Sequence, residues 1–229
     1  AVDAAITHYY PTSYLSAGNR QLHFDRLDVW QTLEGLDHEL EFFVSEWNMK
    51  NGSDTGLVQA SGLLETFRTM VERGVDYAAI WGTQYYALGS RLAVLEDDPD
   101  APGGRDYTLT ATGEVFRMMS EDLQGLRLLD LDTPPELRNA IDVPQDERTP
   151  ETAEQLVMHA FANADTTIVF LSSRSEIPIE ITVDPGTLVQ DYHHVWAAVL
   201  GVIDDPATAI DEGDPFSRLA EPYIETLNQ

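Results

Sequence analysis

The stretch FFVSEWNMKNG, residues 42–52, decides how the rest of the chain is interpreted. Its apolar start at 42–44 is typical of a strand buried in a sheet. The next residues add a carboxyl group at Glu46, an indole at Trp47 and an amide at Asn48. Burying an unpaired charge is costly, so a glutamate that ends a buried strand is expected to face a pocket. We therefore predict a strand over 41–47 that delivers these three side chains to a site.

Strands and helices alternate along the chain on both sides of this stretch. Strands that alternate with helices are parallel strands joined by crossovers. The strand ends recur about every 35 residues, which is close to one β/α unit of a (β/α)8 barrel. Gly74 follows one predicted helix at the position of a C-cap glycine. The predicted strands are 4–10 and 75–81, and the predicted helices are 20–35, 57–71 and 112–123.

The pattern changes after Leu126, where alternating or apolar runs are separated by turn residues. Such runs predict antiparallel strands, and several of them in succession predict a β-sandwich. The Pro- and Asp-rich segment 133–150 is interpreted as a linker or an excursion. The predicted fold class is therefore a partial (β/α)8 barrel over 1–125 and an antiparallel β-sandwich over 126–229. The predicted strands of the second domain are 128–131, 155–162, 167–171, 177–183 and 192–202.

Three β/α units cannot close a barrel, because they leave two parallel strands as open edges. The sequence begins with Ala1 just before a predicted strand. We therefore expect the sheet to be completed by an N-terminal half of the barrel that is missing from this sequence.

Composition restricts the ligands that the chain can bind. The 229 residues include 40 acidic and 13 basic side chains, which gives a net charge of −27. Such a surface repels nucleic acids and anionic membranes, whereas neutral sugars are not repelled. The sequence contains no cysteine, which excludes disulfides and thiolate chemistry. It also contains no run of about 18 apolar residues, the length needed to cross a membrane. Acidity without cysteine favours an extracellular or secreted protein.

The carboxyl ends of the three predicted parallel strands carry polar and aromatic clusters that should meet on one face. The first cluster includes His8 and Tyr10, and the second includes Glu46. A carboxylate beside a tyrosine hydroxyl and a histidine stays ionised through hydrogen bonds, as a nucleophile needs. Aromatic rings beside carboxylates suit sugars, whose C–H faces stack on them. The predicted sugar-binding residues are Trp47, Asn48, Trp81, Gln84 and Tyr85.

These segments resemble the last three β/α units of the retaining glycoside hydrolase clan that contains α-L-arabinofuranosidases and β-xylosidases. Residues 2–10 resemble its sixth strand, 43–48 its seventh and 77–81 its eighth. Residues 108–116 are similar to the run into its last helix, and 221–223 to the final strand of its accessory sandwich. The resemblance implies that Glu46 is the nucleophile and that His8 and Tyr10 hold it. It also implies a plant- or algal-type carbohydrate substrate and no metal or cofactor.

The sequence departs from this clan at the second catalytic carboxyl group. Retaining glycosidases need two carboxyl groups about 5–5.5 Å apart. In the clan, the acid/base is a glutamate that follows an asparagine, and this sequence contains no Asn-Glu pair. We therefore expect the acid/base to lie in the missing part and the chain to be an incomplete enzyme. Two alternatives are a non-catalytic carbohydrate-binding or adhesive module and a secreted structural domain without a sugar site.

Metal-binding patterns are weak in this sequence. His193 and His194 are adjacent in a predicted strand, so their side chains point to opposite faces and do not suit one ion. The acidic runs 96–100 and 204–205 leave calcium binding open, although their spacing is not that of an EF-hand. The sequence shows neither a Ser-His-Asp pattern nor a phosphate-binding loop.

Overall fold

The computed structural model describes the chain in separate ranges. These are residues 3–11, 24–25, 28–29, 32, 39–49, 56–82, 91–129, 156–173, 193–203 and 221–227. Its elements in chain order are β1 (Ala4–Tyr9), β2 (Glu41–Trp47), α1 (Gly56–Glu72), β3 (Tyr77–Ile80), β4 (Ala93–Asp97), β5 (Arg105–Leu109), α2 (Ala111–Asp122), β6 (Arg127–Leu128), β7 (Leu156–Ala162), β8 (Thr167–Ser173), β9 (Ala198–Ile203) and β10 (Glu221–Thr226).

A three-stranded parallel sheet with the order β1-β2-β3 carries the predicted site. β2 is central, with Ala4 of β1 opposite Glu41 on one side and Tyr77 of β3 opposite Phe43 on the other. Helix α1 connects β2 to β3 as the crossover that a parallel pair requires. All three strands therefore end at the same edge of the sheet.

The helices cover one face of this sheet. Val44 of β2 and Leu63 of α1 are completely buried in one hydrophobic core. Trp47 packs on Phe116 of α2, with ring centroids 6.4 Å apart. Helix α2 begins at a threonine cap, where the hydroxyl of Thr110 accepts a hydrogen bond from the backbone N–H of the third helical residue. The burial of these apolar side chains holds the helices against the sheet.

Helix α1 also contacts the antiparallel strands of the C-terminal half. Phe67 of α1 and Phe161 of β7 have ring centroids 6.1 Å apart. The hydroxyl groups of Ser61 and Ser172 form a hydrogen bond of 2.8 Å. Phe161 belongs to the same buried cluster as the residues under the parallel sheet. The predicted division into 1–125 and 126–229 stays a prediction.

The predicted fold class was wrong. The described residues form two helices and four sheets of two or three strands, and these sheets do not form a (β/α)8 barrel. After β3 the chain does not continue with another crossover unit but forms the antiparallel hairpin β4–β5. The turn of this hairpin lies at 98–104 and contains part of the acidic run 96–100. Among the described residues the parallel sheet therefore has three strands, which are too few to close a barrel.

In the part of the C-terminal half that the structure describes, the strands belong to two separate antiparallel sheets, and their packing as a sandwich stays a prediction. β6, β7 and β8 make one antiparallel sheet, and β9 and β10 make a second one. Alternation along a strand predicts antiparallel pairing, but it does not say which strands share a sheet. The predicted linker 133–150, the predicted strand 177–183 and most of the predicted helix 20–35 lie outside the described residues.

Asp76 fixes the start of β3 against β2, and its removal tests how firmly the sheet holds the site. Its carboxylate accepts a hydrogen bond of 2.8 Å from the Phe42 backbone N–H, and its own N–H donates to the Phe42 carbonyl. We expect Asp76→Ala to lower the free energy of unfolding by about 1–2 kcal/mol, because an N–H in the sheet loses a charged acceptor. Urea unfolding measures the change. Asp100→Ala, in the hairpin turn, serves as the control, and equal losses in the two variants would contradict the assignment.

Candidate functional site

A β-bulge in the central strand sets the direction of the site residues. Thr7 of β1 lies opposite Val44, but the next residue, His8, lies opposite Glu46, so β2 has one residue more than β1. The same offset appears against β3. The extra residue, Ser45, places its hydroxyl 3.4 Å from the Thr7 carbonyl. Because side chains alternate along a strand, the extra residue moves Glu46 off the face that Val44 occupies.

The bulge separates charge from apolar surface. Trp47 now shares the helix-covered face with Val44, and both side chains are buried. Glu46 and the residue paired with it, His8, lie on the opposite face. Glu46 is about a third exposed there, at 31% of its side-chain surface. The carboxylate therefore remains in contact with water, which avoids the cost of burying a charge.

Two side chains from the end of β1 contact the Glu46 carboxylate. The Tyr10 hydroxyl donates a hydrogen bond of 3.0 Å to Oε2. Nδ1 of His8 lies 3.3 Å from the same oxygen. Neither contact involves Oε1, so one oxygen is held while the other faces away from these two partners. Between them in sequence, Tyr9 turns to the core and packs on Phe24 with ring centroids 4.8 Å apart.

The ends of β2 and β3 are joined by Asn48, which is completely buried. Its side-chain N–H donates to the Trp81 carbonyl at 2.8 Å, and its Oδ1 accepts from the Met49 backbone N–H at 2.7 Å. Trp81 also donates its backbone N–H to the Trp47 carbonyl at 2.9 Å. Trp81 itself is 51% exposed. Since Ile80 lies opposite Trp47, alternation places Trp81 on the face of Glu46.

The structure thus brings together only part of the predicted site. Glu46, His8 and Tyr10 form one cluster, and Trp81 is exposed on the same face. Trp47 lies on the other face in the core, and Asn48 is buried between strand ends. The two remaining predicted sugar-binding residues, Gln84 and Tyr85, lie outside the described residues.

Sequence reasoning missed the role of Ser45. A signal for it was present, because a regular strand would place buried residues at 42, 44 and 46. Position 46 is instead charged, and the apolar residue that follows Val44 is Trp47, three positions further on. A shift from even to odd spacing within one strand is the pattern that a bulge produces.

Other candidate sites receive no support from the described residues. No group of three histidine, cysteine, aspartate or glutamate side chains in these ranges could hold a metal ion. In the acidic hairpin turn, the Asp98 carboxylate accepts a hydrogen bond from the Asp100 N–H, which is a turn interaction. The acidic pair 204–205 lies outside the described residues.

Two further features are distant from the Glu46 cluster. A cavity of about 320 Å³ opens at the amino ends of β2 and β3, the end of the sheet opposite Glu46, and is lined by 39–42, 73–74 and 76. On α2, the hydrogen bond that Arg117 donates to the Glu114 carboxylate raises the pKa of Arg117, and the charge of Glu121 acts in the same direction. Both features are therefore separate from the proposed chemistry.

Comparison with protein-family models, curated proteins and solved structures finds no match to this chain. Among the described residues, neither helix has the length and apolar character that would be needed to span a bilayer.

Proposed function

We propose that Glu46 is the nucleophile of a retaining glycosidase and that Tyr10 and His8 hold it. The observation that carries this proposal is the convergence of both side chains on a single carboxylate oxygen, Oε2. A hydroxyl donor stabilises the ionised form of a carboxyl group, which is the nucleophilic form. The second oxygen, Oε1, is then available to attack. The assignment is the one that the resemblance of 43–48 to the nucleophile strand of the clan implies.

The proposed reaction has two steps. Oε1 of Glu46 attacks the anomeric carbon of the sugar, and an ester bond forms as the bond from that carbon to the leaving oxygen breaks. The electron pair goes to the leaving oxygen, which takes a proton from a second carboxyl group. Water then attacks the same carbon, passes a proton to that second group, and releases Glu46.

The second carboxyl group is proposed to come from polypeptide outside the described residues. In the described part of the chain, the contacts of Glu46 are a phenol and an imidazole. The phenol and the imidazole contact the nucleophile itself, whereas the acid of a retaining glycosidase lies about 5–5.5 Å from the nucleophile, where it can protonate the leaving oxygen. A substrate whose leaving group needs no proton therefore tests the nucleophile without requiring the acid.

Neutral sugars are the proposed substrate class. A protein with a net charge of −27 disfavours anionic polymers. The exposed Trp81 lies on the face of Glu46 and offers an aromatic ring for stacking. We propose plant- or algal-type polysaccharides or oligosaccharides, and an extracellular or secreted location follows from such a substrate.

Covalent labelling tests this proposal without a proton donor. Dinitrophenyl glycosides with fluorine beside the anomeric carbon carry a leaving group that departs unprotonated, and the fluorine slows hydrolysis of the ester. We expect one reagent from a panel of pentosides and hexosides to add a single glycosyl group to the wild-type chain. Peptide mapping by mass spectrometry should place the group on Glu46. Failure of the whole panel to label the protein, or labelling at another residue, would contradict the nucleophile assignment.

A non-catalytic carbohydrate-binding module is the second candidate function. It is favoured by the exposed Trp81 together with the single carboxyl group in the described cluster. Sugar binding that changes Trp81 fluorescence without forming an adduct would support this candidate against the glycosidase.

Tyr10→Phe tests the positioning of the proposed nucleophile. Loss of the hydroxyl removes a hydrogen bond to the carboxylate, a type of bond that contributes about 1.5–3 kcal/mol. We expect the labelling rate to fall at least about tenfold, which corresponds to the lower end of that range. Time courses of intact mass give the rate. Tyr107→Phe removes an exposed hydroxyl from β5 and should leave the rate unchanged. An unaltered rate in Tyr10→Phe would show that its hydroxyl does not hold the nucleophile.

A further inference from the structure

We infer that Asn48 is a positioning residue that holds the sugar platform Trp81 at a fixed place relative to Glu46. The inference rests on the proposed function for the identity of the ligand. It differs from the expectation drawn from the sequence, in which Asn48 contacts the sugar directly. Asn48 is completely buried, so its amide reaches protein groups rather than ligand.

Asn48 connects the carboxyl ends of all three parallel strands. Its backbone N–H donates to the Tyr9 carbonyl of β1 at 3.3 Å. Its side-chain N–H donates to the Trp81 carbonyl just beyond β3 at 2.8 Å. It directly follows Trp47, the last residue of β2. One residue therefore fixes the spacing between the strand that carries His8, the strand that carries the nucleophile and the residue that carries the platform.

The backbone of Trp81 is fixed on both sides by the end of β2. Its N–H donates to the Trp47 carbonyl, and its carbonyl accepts from Asn48. Trp81 is about half exposed, so few packing contacts hold its indole and the position of its backbone contributes strongly to where the ring lies. If the Asn48 contact is lost, the ring moves relative to Glu46. Such a movement weakens stacking on the sugar while the nucleophile remains in place.

The side chain at 48 needs both a donor and an acceptor. Oδ1 accepts from the Met49 N–H, and the amide N–H donates to Trp81. Aspartate has the same shape and keeps the acceptor, but its ionised form has no proton for the Trp81 carbonyl. Two oxygens would then face each other in a buried place, which is unfavourable. Asn48→Asp therefore removes one hydrogen bond with little change in volume.

The experiment compares Asn48→Asp with the wild type in two independent measurements. The first is the indole N–H resonance of Trp81 in sugar-free protein, assigned by its loss in Trp81→Phe. The second is the labelling reaction, analysed as reagent affinity and as the rate from the bound state. Asn163→Asp introduces the same charge into an exposed turn where only the Asn163 oxygen is used, and it serves as the matched control.

We expect Asn48→Asp to shift the Trp81 resonance and to weaken reagent affinity about tenfold, while the rate from the bound state changes less than about threefold. As the pH falls, the introduced carboxyl group takes up a proton and becomes a donor to the Trp81 carbonyl. The resonance should then return toward its wild-type position, measured against the wild type at each pH. General destabilisation would not produce such a return.

An unchanged Trp81 resonance and unchanged affinity in folded Asn48→Asp protein would overturn the inference. If Asn48→Asp does not fold, Asn48→Ser provides the same comparison without a buried charge, and an unshifted resonance overturns the inference there as well. If no reagent labels the wild type and the Trp81 resonance still shifts and returns with pH, the proposed function fails and the positioning role stands.

Discussion

Glu46→Gln is expected to lower the labelling rate by at least about 10⁴-fold, as the removal of a catalytic nucleophile does in other enzymes. The amide has nearly the shape of the carboxylate and can still accept a hydrogen bond from Tyr10 through its oxygen. It is uncharged and lacks the nucleophilic oxygen that forms the ester. The fold should therefore persist while covalent chemistry stops. Intact mass followed over time measures the rate.

Glu41→Gln is the matched control, because Glu41 lies on the same strand at the opposite end of the sheet and is exposed. Its labelling rate should equal that of the wild type. A small external nucleophile extends the test. In Glu46→Gly, azide can enter the space of the carboxylate, form a bond from nitrogen to the anomeric carbon and displace dinitrophenolate. Recovery of dinitrophenolate release would show that the site is folded and lacks only its nucleophile. Labelling of Glu46→Gln at the wild-type rate would assign the chemistry to another carboxylate.

Gly113→Ala is expected to lower the free energy of unfolding by about 3 kcal/mol or more, because it overpacks a rigid contact. A Cβ atom at Gly113 would lie 1.8 Å from the Leu92 carbonyl oxygen and 3.2 Å from a methyl group of Leu109. The Leu92 carbonyl cannot easily move, because it accepts the Thr110 backbone N–H at 3.0 Å. Helix α2 would have to shift away from β4 and β5. Since α2 also covers Trp47, we expect the site to be disturbed as well.

Gly125→Ala provides a graded control for this substitution. Gly125 has a φ of 74°, and nothing lies within 4 Å of a Cβ atom built on it. Its substitution introduces left-handed strain alone, which costs about 1 kcal/mol. Denaturant unfolding of both variants separates the clash from the strain. Equal losses would mean that the backbone around Leu92 relaxes and that α2 is not tightly fixed.

The sequence predicted local elements well because local periodicity carries them. The strand predicted at 41–47 is β2 (Glu41–Trp47), and the helix predicted at 112–123 is α2 (Ala111–Asp122) within one residue. Closure of a barrel depends on how many crossover units join one sheet, and periodicity does not contain that information. The hairpin strand Arg105–Leu109 was missed because its sequence, RDYTL, is too polar to resemble a buried strand.

The candidate site, like the fold, could be predicted from the sequence only in part. The meeting of His8, Tyr10 and Glu46 could be anticipated, since parallel strands place their carboxyl ends at one edge. The burial of Trp47 could not be anticipated from regular alternation, because the bulge changes which face each later residue occupies. Asn48 has a polar side chain of the kind that binds sugars, but its amide is already hydrogen-bonded to the Trp81 carbonyl and to the Met49 N–H. Whether such a side chain binds a ligand or the backbone depends on tertiary contacts, and a local sequence pattern does not show these.

The bulge at Ser45 has a consequence for how this segment tolerates insertions and deletions. The Ser45 side chain makes one long hydrogen bond, from its hydroxyl to the Thr7 carbonyl. We therefore expect other small side chains to be tolerated at this position. Its removal is a different matter, because every residue after it would exchange faces. Glu46 would enter the core with Val44, and Trp47 would be expelled into water. The number of residues between Val44 and Trp47 is therefore more strictly constrained than their identity. We expect the deletion of one residue here to destabilise the fold more than most substitutions do.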